Sequence, residues 1–198
     1  IVKFKDKNFV CKFKAKIRLT GDLWWHLGWR NGNPISSLHV ELLDGHVNSI
    51  TRFKLFLPKS RYGANEVFTS SILKEVGFLA PRTFMVKSII NGQKLNYIFQ
   101  EDLRKEFLEN LKLREGPILE GDERFTIMIA DQKSKPKLNL SRIANKKFLL
   151  KNESNARTGL SSVSNLNLIY LQHHQIQNIN EEEKLYINSK KFFKDKLN

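Results

Sequence analysis

A chain of 198 residues, 40% of them hydrophobic and 14 of them Phe, has room for one domain, or one domain and an extension, around a sizeable core. That composition excludes wholesale disorder, and apolar runs of only a few residues exclude a helix of the roughly 20 residues needed to cross a bilayer. The formal charge of +14 is concentrated at the two ends, with seven excess positive charges in residues 1–60, seven in 126–198 and none between. Nucleic acid, anionic lipid and acidic substrates are therefore the partner classes to weigh. The single cysteine, Cys11, excludes an internal disulfide and a cysteine-based zinc site; it reads as a strand residue and leans toward a reducing, cytoplasmic location. No charged-then-apolar leader opens the chain, and its start at Ile1 and finish at Asn198 read as those of a fragment.

Residues 12–19 alternate strictly. Lys12, Lys14, Lys16 and Arg18 line one face and Phe13, Ala15, Ile17 and Leu19 the other, which predicts a half-buried strand. Residues 23–34 read as a loop whose three tryptophans, Trp24, Trp25 and Trp29, pack on something. Residues 37–42 form a second alternating strand. Asp44-Gly45 predicts a hairpin into a third strand at 50–57, with Arg52 and Lys54 on its polar face. A helix over 65–77 is expected, capped by Asn65, striped by Phe68, Ile72, Leu73 and Val76, and stopped by Gly77.

Two more strands, 83–90 and 94–100, flank Asn91-Gly92, the strongest short hairpin signal. Asp102 is the expected cap of a helix whose inner face is Leu103, Phe107, Leu108 and Leu111. Beyond Leu113 the pattern weakens. It comprises a charged loop at 114–124, a short apolar run at 125–130, a polar linker at 131–137, a strand or helix at 141–150, Asn- and Ser-rich chain from 152, and helical spacing at 181–197. The expected fold is thus α+β. A mostly antiparallel sheet of about five strands with one packed helix would occupy residues 1–113, and a helical or irregular part, partial or truncated, would occupy 114–198.

Phosphoryl transfer needs a cation on the phosphates, a carboxylate to hold that cation, bound metal, and a group to orient the nucleophile. Lys54 or Arg52 is the candidate cation, and Glu66 or Glu75 on the following helix the candidate partner. Glu66 lies in the first turn and Glu75 near the last, so the two cannot serve one geometry. The chain carries no P-loop and no dinucleotide-binding glycine pattern. His173 and His174 would diverge by about 100° on a helix and cannot grip one metal. Glu115, Glu120, Asp122 and Glu123 concentrate charge enough for a divalent cation, although a solvated acidic loop is the favoured explanation. A second functional reading uses the Trp loop. Trp24, Trp25 and Trp29, beside Arg18 and Arg30, suit a non-catalytic basic module for acidic polysaccharide or single-stranded nucleic acid.

The order of short motifs from residue 13 to 115 resembles the spore coat protein H (CotH) kinase-like family. The matching pieces are Ile17-Arg18-Leu19-Thr20-Gly21-Asp22, Ser36-Ser37-Leu38-His39-Val40, Gly77, Ala80-Pro81-Arg82-Thr83, Asn91-Gly92, Glu101 and Phe107-Leu108. Each is short, and the specificity lies in their order and spacing. The resemblance implies a kinase-type small lobe that binds ATP with Mg. The nucleotide would lie between the first strands and the joint Gln100-Glu101-Asp102, with an anionic protein or polysaccharide as acceptor. Two departures stand out. Pro34-Ile35 replaces a lysine typical of the family, and its downstream Asp/Asn catalytic motifs have no equivalent, since Asp131 lacks partners. The resemblance therefore implies a nucleotide-binding lobe of an atypical kinase that is not catalytically competent as it stands.

Overall fold

The computed structural model describes residues 1–5, 9–21, 24–121 and 140–175, and the chain divides into two compact units, Ile1–Leu113 and Arg114–Asn198. In the first unit, β1 (Val2–Lys5) and β2 (Val10–Phe13) pair as an antiparallel ribbon. One residue on, β3 (Ala15–Leu19) begins the main sheet. A 3-10 turn at Trp24–His26 then leads into the small hairpin of β4 (Leu27–Arg30) and β5 (Asn33–Ser36). After it come β6 (Leu38–Leu42), β7 (Arg52–Phe56), the helix α1 (Asn65–Glu75), β8 (Thr83–Ile90), β9 (Gln93–Glu101) and the short helix α2 (Lys105–Asn110). Strands β3, β6, β7, β9 and β8, in that spatial order, form one wholly antiparallel five-stranded sheet, so the fold is α+β.

Turn chemistry explains the tight connections. Asn91 and Gly92 both take positive φ (49° and 79°), the type I′ geometry whose twist suits a two-residue hairpin. Asn31 and Gly32 do the same in β4–β5, so part of the expected Trp loop is a strand pair. Between β6 and β7 the tight turn falls at Asn48-Ser49, closed by Val47 and Ile50, and not at Asp44-Gly45. The Asp44 carboxylate instead accepts the Lys14 amide at 2.6 Å, where β2 and β3 part.

One face of the sheet carries the larger core. Val40, Leu42, Ile50, Phe53 and Phe99 are buried there, with Phe4 and Phe13 of the β1–β2 ribbon packed against them. Phe53 and Phe84 both stack on Phe99 at 4.6 Å between ring centres, and Phe4 meets Phe53 edge-on. Each such pair is worth about 0.5–1.5 kcal/mol beyond its buried area. Ile17 and Leu19, on the apolar side of edge strand β3, remain exposed, so the core covers only the first half of that predicted apolar face.

Four helix expectations change. α1 starts at Asn65 with Ala64 as its cap residue, so Asn65 caps nothing. Its apolar stripe points outward, with Phe68, Ile72 and Val76 exposed and Ser70 on the opposite side buried. Periodicity marks a stripe but not its direction. α2 starts at Lys105 behind an extended Arg104, not at Asp102, whose carboxylate has other partners; Phe107 and Leu108 are buried as expected, whereas Leu111 is exposed.

In the second unit, β10 (Leu119–Gly121) pairs with β11 (Ser141–Ile143), a 3-10 turn spans Lys146–Phe148, and α3 (Glu153–Gln175) follows. α3 occupies the Asn- and Ser-rich stretch that carries no strong helical stripe. It begins because Asn152 Oδ1 accepts the Asn155 amide at 2.8 Å and Glu153 sits at the positive end of the dipole. Buried Asn145 ties the unit together, accepting from the Ile118 amide and donating to the Gly116 carbonyl. Gly159 permits close approach, since a Cβ there would overlap Leu149 and touch Ile143. Gly159→Ala is therefore expected to lower stability. Overpacking of about 1–3 kcal/mol outweighs the gain of up to about 1 kcal/mol in helix propensity, and thermal unfolding measures the net loss. No described helix is long and apolar enough to cross a membrane. The predicted run 125–130, the linker 131–137, the helix at 181–197, and Asp122, Glu123 and Asp131 lie outside the described residues.

Candidate functional site

The cross-strand register fixes which polar side chains meet. Arg18 lies opposite His39, His39 opposite Lys54, Lys54 opposite Gln100, and Gln100 opposite Thr83, a row crossing all five strands on one face. Beside it, Lys16, Glu41 and Arg52 form a second row, and the Asp102 amide donates to the Arg52 carbonyl. Alternation puts all of these on the face opposite Val40, Phe53 and Phe99.

Asp102, just past the end of β9, is the hub. Its Oδ2 lies 3.0 Å from Arg104 Nε and 3.4 Å from His39 Nε2, and its Oδ1 lies 3.7 Å from Lys54 Nζ. Burial pushes its carboxyl pKa up, but the hydrogen bond from His39 and the charges of Lys54 and Arg104 outweigh that and hold it well below the usual carboxylate range. Arg18 Nε donates to His39 Nδ1 at 3.2 Å. Since a guanidinium only donates, the His39 proton sits on Nε2 and points at Asp102. His39 is buried and Lys54 half-buried, so these contacts are shielded from solvent.

The candidate residues disperse over this frame. Lys54 takes Asp102 as its carboxylate, not Glu66 or Glu75. Glu66 accepts from Gln100 Nε2 at 2.7 Å, which places it one side chain away from Lys54 across the strand pair. Glu75 is exposed at the far end of α1. Arg52 pairs with Glu41. The Glu101 side chain points to the opposite face, where Arg82 Nε and Nη2 grip it at 2.7 and 2.8 Å. Of the joint Gln100-Glu101-Asp102, then, only Gln100 and Asp102 share the face of Lys54. Sequence reasoning missed His39 and Arg104 as members of this cluster and misassigned Asp102 as a cap. The one local signal was the i, i+2 spacing of Asp102 and Arg104; the rest depends on the register of three strands. Of the charged loop of the second unit, Glu115 is paired to Lys151 and Glu120 to Arg142.

The Trp segment is a second surface feature, presented on a firmly rooted hairpin. Ser37, fully buried, accepts the Leu57 amide on its Oγ, and that Oγ also lies 3.0 Å from His26 Nδ1. The Ser37 amide donates to the His26 carbonyl, and its carbonyl accepts from Thr20. Gly21 takes a φ of +102° against the His26 ring, where any Cβ would collide. From this base Trp24 and Trp29 stand 76% and 77% exposed, Trp25 is half-buried with its ring 5.7 Å from that of Trp24, and Arg18 and Arg30 are exposed. No protein-family model matches the chain, and neither does any curated protein.

Proposed function

We propose that the first unit is the nucleotide-holding lobe of a kinase-like, CotH-type phosphotransferase, with Lys54 as its phosphate-binding cation. The observation that carries this reading is the position of Lys54. It lies on the third strand of a five-stranded antiparallel sheet, half-buried, with the carboxylate of the next helix, Glu66, held by the residue directly opposite it. Protein kinases place their phosphate-binding lysine on the third strand and pair it with a glutamate of the following helix. Here Lys54 rests on Asp102 instead. An arriving polyphosphate competes for Lys54, while His39 and Arg104 still satisfy Asp102, so release of the lysine leaves no bare buried carboxylate.

The residues fit a nucleotide's phosphates, which Lys54 and Arg18 would meet from one face. Among the described residues no group of three His, Cys, Asp or Glu side chains is placed to hold a metal, so Mg2+ enters this reading as the partner of ATP. When bound, that ion neutralises phosphate charge. The net positive charge suits an acidic protein or polysaccharide as acceptor.

Thermal unfolding with and without Mg-ATP tests the proposal. Ligand at about 100 times its dissociation constant stabilises by about 2.7 kcal/mol, and the shift is expected to vanish in Lys54→Ala. Glu66→Gln is expected to weaken the response and Glu75→Gln to leave it unchanged. A shift of equal size in Lys54→Ala, or none in the unaltered chain, overturns the reading.

A further inference from the structure

We infer that the β1–β2 ribbon, the edge strand β3 and the Trp hairpin together form a binding track for single-stranded nucleic acid, which shares Arg18 with the nucleotide reading but does not rest on it. Two separate observations, close together in the sequence, support it. The first is a row of cations. Lys12 of β2, Lys14 between the strands, and Lys16 and Arg18 of β3 are all exposed and alternate with Phe13 and Ala15, which pack on the core; where the chain is extended, positions two apart are about 6.7 Å apart. Lys12 also lies directly opposite Lys3 in the antiparallel ribbon. Like charges facing each other across a strand pair destabilise it, and a bound polyanion removes that repulsion. None of the three lysines has an ion-pair partner among the described residues, and Glu41, opposite Lys16, is paired to Arg52.

The second observation is aromatic. Five residues past the end of β3, Trp24 begins a segment in which Trp24, Leu27 and Trp29 are 76%, 55% and 77% exposed. Large apolar side chains scattered singly on a surface are ordinary, but three exposed within six residues are a local concentration. The segment is not a floppy tip, because His26, Ser37 and Gly21 fix its base. A ring left open to solvent on an anchored backbone can stack on a flat ligand without the segment's backbone having to be ordered first.

Exposed cations together with exposed aromatic rings are the combination that holds an unpaired strand, phosphates on the cations and bases on the rings. Duplex DNA keeps its bases stacked inside and offers the tryptophans nothing. An acidic polysaccharide is disfavoured for another reason. Its hydroxyl groups call for acceptors as well as donors, yet the four cations follow one another along the chain and the neighbouring carboxylates are already spent, Glu41 on Arg52 and Asp44 on the Lys14 amide. At the hairpin turn, the Asn33 amide is already spent on the Asn31 carbonyl.

The test is fluorescence anisotropy with a labelled mixed-sequence 12-nucleotide single strand, its duplex, and heparin as competitor, on the full chain. The single strand is expected to bind with an affinity that falls with salt at a log–log slope of about −0.7 per phosphate neutralised, hence about −2 to −3 for three or four contacts. Trp24→Ala and Trp29→Ala are each expected to weaken binding about tenfold without lowering Tm, since both rings are exposed. Lys12→Gln with Lys16→Gln is expected to flatten the slope by about 1.4. Absence of binding would overturn the inference and mark the row as a solvated face. Duplex binding as tight as the single strand's, heparin binding without oligonucleotide binding, or an affinity indifferent to both Trp changes would overturn it as well.

Discussion

Arg82→Ala is expected to destabilise the first unit by about 3 to 5 kcal/mol, more than any single change at the sheet's polar face. The cause is the carboxylate it leaves behind. Glu101 is only 4% exposed and lies across from Phe53, on the face that holds the aromatic core. Arg82 satisfies both of its oxygens and also donates to the Asn48 carbonyl at 2.6 Å, tying the β6–β7 turn to the end of β9. Removing the guanidinium strands a buried charge and frees that turn. Replacing both partners with apolar side chains, Arg82→Met with Glu101→Leu, is expected to recover much of the loss, because the larger part of the cost is the unpaired charge. Urea unfolding of the two variants separates these contributions. An equal loss in both would mean that the bond to Asn48 dominates.

The second large effect is expected at Asp102, and its signature is the pH dependence. The folded state holds this carboxyl well below its ordinary value, so its stabilising contribution is present in full above the unfolded pKa of about 3.9. That contribution drains away as pH falls through the folded value. Asp102→Asn is therefore expected to cost about 2 to 3 kcal/mol near pH 7 and to give a flatter decline below about pH 4 than the unaltered chain shows. Stability curves from pH 2 to 7 measure both features. Parallel curves for the two proteins would show that His39, Lys54 and Arg104 do not act on this carboxylate as their distances indicate.

Much of the first unit is legible in its residues, for local reasons. Asn91-Gly92 fixes the β8–β9 hairpin through positive φ at both positions, and period-two alternation marks β6, β7 and the polar side of β3. What alternation cannot supply is a third dimension. The stripe Phe68, Ile72 and Val76 is a genuine helical feature, yet it faces away from the sheet, because Glu66 is drawn to Gln100 and Ser70 takes the inward side. Asp102 has the chemistry of a helix cap, and only the register of β6, β7 and β9 turns it into a shared anchor for His39, Lys54 and Arg104. α3 is hidden for a different reason: its packing rests on a glycine and its start on an asparagine, residues that weigh against a helix when taken one by one.

For the candidate site, the lysine is readable and its partner is not. A cation on the polar face of a strand can be found by counting, whereas choosing among Glu66, Glu75 and Asp102 requires strand order. The Trp segment shows the reverse. Its aromatic density is plain, but the exposure of Trp24 and Trp29 depends on the buried Ser37 and His26 that root the hairpin.

Calorimetric titration of the full chain with Mg-ATP decides whether Lys54 anchors a nucleotide. A single saturable site, weakened at least tenfold in Lys54→Ala while that variant keeps its fold by circular dichroism, is the expected result. Binding unchanged by Lys54→Ala, or no binding to the well-folded unaltered chain, would contradict it.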